Sequence, residues 1–277
     1  MRIALGKTNR LTATRRSDFG FYLDGGEAGE VLLPNRYVPS DLKVGQEIDV
    51  FVYLDSEERL TATTQMPYAQ VGDFAYLRVA WVNQYGAFMD WGLMKDLFVP
   101  FAEQKVKMQP DRYYFVHIHV DEETCRIMAS AKVERYLSTE MPPYVPGQEV
   151  EAFAWQHTDL GYRFIIDGRY AALAYEDEVF RPIGPGDRLK AYIRQVRADG
   201  KIDLMLQRPG QGAVTDFSAQ LLQYIKDHGG AIPQGDKTPA EDIYDTFGVS
   251  KKVFKKAVGD LYKQHLITIS PQGLQLV

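Results

Sequence analysis

The sequence is short of cysteine, of long apolar runs and of excess basic charge, and each shortage closes off a class of protein. Cys125 is the single cysteine in 277 residues. No internal disulfide framework can form, and a reducing cytoplasm is the expected setting. No apolar stretch approaches the ~20 residues that span a bilayer, so no membrane partner is expected. The opening residues Met1 to Thr8 lack an apolar signal core, which argues against export. Formal net charge is −5, which is not that of a uniformly basic nucleic-acid binder. Catalytic signatures are missing too: there is no phosphate-loop glycine motif, nucleophile elbow or HExxH. His117 and His119 share one face of a predicted strand, but no third ligand has a fitting spacing. No catalytic residue, metal or cofactor is therefore expected, and the chain reads as a non-enzyme.

What is present is ordinary for folded domains: 45% apolar and 25% charged residues, in a length that accommodates two to four domains. The most informative stretch is 71–130. Val71-Gly72-Asp73 opens it, and strands are predicted over 74–84, 85–90, 96–100, 113–121 and 126–130, separated by polar turns. Five short strands in about sixty residues point to a small closed barrel.

That unit repeats. Gly6 and Gly20 are fourteen residues apart, as are Gly72 and Gly86, and Gly147 and Gly161. Each pair brackets a long first strand, and the second glycine opens an aromatic one: Gly20-Phe21-Tyr22, Gly86-Ala87-Phe88, Gly161-Tyr162-Arg163. A glycine there permits a close backbone approach at a barrel bend. Pro34 and Pro100 keep the spacing, as do Gly45 and Gly186. Connectors rich in proline and glycine, Met66-Pro67-Tyr68, Met141-Pro142-Pro143-Tyr144 and Arg208-Pro209-Gly210, separate the units. A short helix is predicted over 131–138.

The tail changes period. Residues 215–228 space Phe217, Leu221, Leu222 and Ile225 as a helix does, ending at Gly229-Gly230. Thr238-Pro239-Ala240-Glu241 predicts a capping box for a second helix, stopped by Gly248. Ser250 is the expected cap of a third helix carrying Phe254, Ala257, Val258, Leu261 and Tyr262. A hairpin over 266–277 closes the chain. Three helices and a two-stranded wing resemble a winged helix. The expected fold is mainly β with a small α+β tail: five-stranded barrels at 1–66, 67–140 and 141–210, then a winged helix at 211–277. Each segment lies within two charges of neutral, so any binding face must be a local patch.

The pattern Val-Gly-Asp, Tyr-Gly-Ala-Phe-Met-Asp, Leu-Phe-Val-Pro, Val-Asp and Arg-Ile-Met-Ala-Ser resembles the S1-type RNA-binding repeat, whose fold is the oligonucleotide-binding (OB) barrel. The whole order of domains is similar to the CvfB/YitL family of bacterial RNA-binding regulators. The resemblance implies a cytoplasmic protein that binds single-stranded RNA and affects gene expression after transcription. Carried over position by position, it implies RNA contact by Phe19, Phe21 or Tyr22, with Arg59 beside Asp55, in the first repeat. In the second it implies Tyr85 and Phe88, with Arg126 beside Asp121. Flat rings stack on bases and cations meet phosphates. In the third repeat Leu160, Arg163 and Val196 depart from the pattern, leaving Tyr162 and Lys201. The strand-three position that is histidine in many S1 repeats is Leu33 and Val99 here. Lys251, Lys252, Lys255 and Lys256 line one face of the third tail helix, opposite its apolar residues, and are candidates for phosphate contact. The winged helix could instead hold DNA or a protein, and a protein-interaction scaffold is the rival reading of the whole chain.

Overall fold

The computed structural model describes residues 2–176, 179, 182–206, 212–249 and 251–277, with the backbone alone for 212–216. It divides into two compact units, Met1–Leu137 and Ser138–Val277. In the first unit, β1 (Thr8–Ser17), β2 (Gly20–Asp24), β3 (Glu30–Pro34), β4 (Glu47–Leu54) and β5 (Leu60–Thr63) close in the order β1-β2-β3-β5-β4. Next, β6 (Phe74–Val82), β7 (Gly86–Asp90), β8 (Leu97–Pro100), β9 (Tyr113–Val120) and β10 (Ile127–Ser130) close in the same way. In the second unit, β11 (Glu149–Thr158), β12 (Gly161–Ile166), β13 (Tyr170–Tyr175), β14 (Arg188–Val196) and β15 (Ile202–Met205) repeat it once more. In each barrel the third and fifth strands pair in parallel and the other neighbours are antiparallel. This is the five-stranded OB-type barrel, built three times.

Two local features recur because the repeats share them. A Cβ at Gly20, Gly86 or Gly161 would lie 2.0, 2.3 or 2.2 Å from the carbonyl of Leu33, Val99 or Ala174 on the neighbouring strand. Only glycine fits so close an approach. Each first strand also breaks register once, between Ala13 and Arg15, Val79 and Trp81, or Ala154 and Gln156. A bulge inserts one residue and reverses which face later side chains take. Leu77 and Val79 therefore point into the barrel, whereas Trp81 points out.

The first two barrels share buried structure. Along β4, Val50 and Val52 enter the core of their own barrel, while Phe51 and Tyr53 join Ala69, Trp91 and Leu93 in the core of the next. Phe51 has no exposed surface and meets Trp91 edge to face at 5.6 Å. Full burial of such a ring stabilises by roughly 1.5–3 kcal/mol. Polar ties reinforce the contact: the Val71 N–H donates to the Gly6 carbonyl at 2.9 Å, and Lys95 Nζ donates to the carbonyls of Leu54 and Asp55 at 2.8 and 2.9 Å.

The tail contains α1 (Gly212–Asp227), β16 (Ala231–Ile232), α2 (Ala240–Phe247), α3 (Lys251–Lys263), β17 (Ile267–Ser270) and β18 (Gly273–Leu276). Phe217, Leu221 and Ile225 of α1 pack with Ile243 of α2 and with Phe254, Ala257, Val258 and Leu261 of α3. These are the helix-spaced apolar positions of the sequence, joined by Ile267 and Leu274 of the wing. Gly248 ends α2 where the sequence places the stop, in a left-handed cap with φ +66°. The wing has three strands rather than two, because β16 adds to β18. The expected capping box does not form. Pro239 occupies the cap and offers no side-chain acceptor, while Thr238 Oγ1 accepts from the Gly235 N–H at 2.8 Å and closes the preceding turn. Ser250 lies outside the described residues. Within 131–138 only a 3-10 turn forms, Val133–Tyr136.

Candidate nucleic-acid interface

The outward face of β6, β7 and β8 carries a row of rings. Trp81 pairs across strands with Phe88, and Phe88 with Phe98. The Trp81 and Phe88 rings lie 3.7 Å apart and 4° from parallel; Phe98 follows at 4.9 Å and 37°. Trp81 remains 44% exposed. Its Nε1 donates to Asp96 Oδ2 at 2.7 Å, which fixes the indole. Tyr85 stands at the end of the row, 66% exposed. The turn beneath it is held by Asn83 Oδ1, which accepts from the N–H groups of Tyr85 and Gly86 at 2.8 and 3.2 Å.

Trp81 and Phe98 were not among the residues singled out from the sequence. Strict alternation places Trp81 inside, and the bulge that turns it outward leaves no local sequence mark. The strand-three position assigned to Val99 is buried, and the outward residue is Phe98. In the first barrel Leu33 is buried likewise.

At one end of the row lies Arg126, whose guanidinium pairs with Glu58 from the first barrel. Asp121 accepts from the Thr124 hydroxyl at 2.6 Å and its N–H at 2.9 Å, bonds that hold the carboxyl below its ordinary range. Lys95 is held below the ordinary lysine value by burial first and by the Arg126 charge second.

The first barrel fills the same positions differently. Arg15 takes the place of Trp81 and lies 3.6 Å over the ring of Tyr22, its cross-strand partner. Arg15 also forks onto Glu30, at 2.6 and 2.9 Å. Phe19 is exposed in the turn, whereas Phe21 is only 4% exposed and packs with Leu11, Leu23 and Leu33. Phe21 is therefore corrected from candidate stacking ring to core residue: of the alternating pair, Tyr22 faces out. Arg59 is tied to Asp55 and Glu57, each at 2.8 Å. For Asp55, burial raises the carboxyl, but bonds from Arg59 and the Glu57 N–H outweigh it and leave the group lowered.

In the third barrel Gln156 faces Arg163 at the ring-pair positions, with Arg163 Nη1 donating to Gln156 Oε1 at 3.4 Å. Arg163 also lies 4.1 Å over Trp155. Leu160 is 68% exposed where the second barrel has Tyr85. Tyr162 stacks on His157 at 4.3 Å, and Lys201 pairs with Asp199 at 2.8 Å. The turn bonds reassign one position. The N–H groups of Asp55, Asp121 and Arg197 donate to Arg59, Arg126 and Lys201, so Arg197, not Val196, replaces the aspartate. It is clamped by the buried Asp203 at 2.7 and 2.9 Å.

On α3, Lys252, Lys255 and Lys256 are exposed and Lys251 is half-buried; Lys255 pairs with Asp236 at 3.1 Å. His117 stacks on Tyr136 at 3.9 Å, His119 lies tilted against the same ring with its Nδ1 3.3 Å from the Tyr136 hydroxyl, and no metal-binding group of three His, Cys, Asp or Glu occurs among the described residues.

Residues 5–65 match the S1 domain model, and residues 219–276 match the CvfB-like winged helix domain model. The chain is 28% identical over 267 residues to YitL of Bacillus subtilis, covering 93% of this chain and 89% of that protein. It is 26% identical over 265 residues to conserved virulence factor B of Staphylococcus aureus strain USA300, covering 92% and 88%. The chain is thus similar to the CvfB and YitL proteins over more than nine-tenths of its length. A crystal structure described as a multidomain protein with nucleic acid binding domains from Streptococcus pneumoniae aligns with 99% of the chain and 98% of its own, at 23% identity and a TM-score of 0.43. The two matched domain models are of nucleic-acid-binding types rather than enzymatic ones. The S1 match falls on the first barrel, although the open ring row lies on the second. No helix among the described residues is long and apolar enough to cross a membrane.

Proposed function

We propose that the chain is a bacterial, cytoplasmic RNA-binding regulator that acts after transcription and holds single-stranded RNA on the second barrel. The observation that carries this reading is the row of exposed Tyr85 and Trp81 with half-buried Phe88 and Phe98. Stacked, half-open rings offer π faces that bases of any sequence can use, and stacking contributes roughly 1–3 kcal/mol per base. Arg126, Arg59 and the α3 lysines supply local positive charge in a chain that has little to spare. Phe19 and Tyr22 extend the same chemistry to the first barrel. The third barrel, with Gln156 and Arg163 at the ring positions, contributes less.

Fluorescence anisotropy with a labelled single-stranded RNA at fixed salt tests the reading. Tyr85→Ala combined with Phe88→Ala should weaken binding by at least about tenfold with an unchanged melting curve. Retained affinity in the folded double variant would remove the row from the site. Absence of RNA binding by the wild type, together with retention of a protein partner, would favour the scaffold reading.

A further inference from the structure

The ring row does not stand alone on a convex surface. It forms one wall of a cleft of about 750 Å³, within the size range of small-ligand sites. The opposite wall comes from the first barrel: Tyr53 and Leu54 at the end of β4, then Asp55, Ser56 and Glu58 of the following turn. The loop after β7 closes the floor with Trp91 and Met94. Lys95 pins that loop to the first barrel through its two bonds to the Leu54 and Asp55 carbonyls. Trp91 Nε1 donates to the Lys95 carbonyl at 2.7 Å and fixes the loop from inside. The two walls are therefore held in place before any ligand arrives.

We infer that this two-barrel cleft is a nucleotide site. One unstacked base of a single-stranded RNA enters between the ring row and the first-barrel turn, and its phosphate takes the place of Glu58 on Arg126. The inference rests on the RNA-binding reading above and adds the first barrel as half of the site.

Three observations carry it. Exposed apolar side chains gather at the cleft mouth, with Trp81, Tyr85 and Met94 (69% exposed) together; such a patch marks a surface that is covered in use. Aromatic rings dominate the second-barrel wall, with Trp81 and Phe88 nearly parallel, which favours a flat π ligand over an aliphatic one. The carboxylates of the cleft are already engaged, and one of them is in an exchangeable pair. Asp96 accepts from Trp81, and Asp55 from Arg59 and the turn N–H groups. Arg126 is held by Glu58, and both side chains are more than half exposed. An exposed ion pair is weakly held, and a phosphate oxygen meets a guanidinium in the same bidentate way as a carboxylate. RNA can therefore displace Glu58 at little cost.

The test uses the full chain and single-stranded RNA oligonucleotides carrying one 2-aminopurine, whose fluorescence is quenched when the base stacks. Wild type should quench it on binding. Ser56→Leu narrows the cleft from the first-barrel side and touches none of the row; it should abolish the quench and weaken affinity about tenfold. Glu58→Gln removes the competing carboxylate and should tighten binding about two- to fivefold. An unchanged melting curve for each variant excludes misfolding. If Tyr85→Ala with Phe88→Ala weakens binding while both first-barrel variants leave affinity and quench unchanged, the second barrel binds RNA by itself and the shared cleft is overturned. If wild type binds no RNA, the functional reading falls, and this inference with it.

Discussion

In the second barrel Trp81 and Phe88 lie ring on ring at 3.7 Å; at the same two positions of the third barrel Arg163 donates to Gln156 at 3.4 Å. Both pairs stand just past the bulge in the first strand, and both face outward. The first barrel supplies an intermediate, a guanidinium over a tyrosine ring. Backbone, bulge and glycine are common to all three. What differs is two side chains, and with them the chemistry of the face: open π surface, cation over ring, or hydrogen-bonded polar pair. Barrel shape thus sets where a binding face can be, and the bulge-exposed pair sets what it can hold. The barrel cores differ too. The second takes Phe51 and Tyr53 from its neighbour, and among the described residues the main cluster of the third runs from Tyr144 to Leu206.

That last contrast offers the largest expected effect. Phe51→Ala should cost about 3–5 kcal/mol, as deletions of fully buried rings do. Hydrogen exchange should then show lost protection throughout β1–β10 and none lost in β11–β15. Protection lost in β1–β5 alone would mean that the first two barrels fold independently and the shared core is nominal.

Acidity should separate the barrels less strongly. His117, on β9 of the second barrel, is buried with an unpartnered Nδ1. Burial pushes its pKa down to about 4, with His119 and Lys7 adding to the shift, against a Gly72 backbone bond and Asp73. The unfolded chain takes up the proton near pH 6.5 and the folded chain near 4. Stability is therefore fully present above about pH 6.5 and declines as pH falls towards 4, by on the order of 1–3 kcal/mol. Melting of the Met1–Leu137 unit between pH 7 and 4 should follow this slope, and His117→Gln should flatten it. An unchanged slope in the variant would assign the acid sensitivity to the carboxylates.

The winged helix gives the smallest effect. Replacing Lys251, Lys252, Lys255 and Lys256 with Gln keeps helix propensity and the buried face of α3. If all four meet phosphates, the slope of log affinity against log salt should become shallower by roughly 0.7 per contact, or nearly three units in all. Lys255 is already paired with Asp236, so a smaller change is expected. An unchanged slope would take α3 out of the RNA site and leave it to a protein or DNA partner.

Much of this was legible in the sequence. The fourteen-residue glycine spacing marks three barrels because a Cβ at Gly20, Gly86 or Gly161 would strike a carbonyl. The helical period of Phe217, Leu221 and Ile225 marks α1 because those side chains are its core. The candidate site was legible only in part. Tyr85 and Phe88 stand where the family pattern places them, but Trp81 was hidden by a bulge that reverses alternation, and Phe98 by a one-residue choice between neighbours. Phe21 and Tyr22 looked equivalent, and only strand parity separates them. The cleft itself needs Ser56 and Glu58 beside Met94 and Arg126, a proximity created by packing between barrels. The sequence does carry a trace of that packing: Val50 to Leu54 is apolar on both faces, as a strand buried on both sides should be.

The most direct measurement converts one barrel's face into the other's. Trp81→Gln with Phe88→Arg gives the second barrel the pair that the third already accommodates at Gln156 and Arg163, so the fold should survive with an unchanged melting curve. Anisotropy with a single-stranded RNA at fixed salt should then show affinity at least about tenfold weaker than wild type, the loss of one stacked base or more. Affinity within error of wild type, in a variant that melts normally, would contradict the claim that the ring pair is what distinguishes the second barrel as the RNA-binding face.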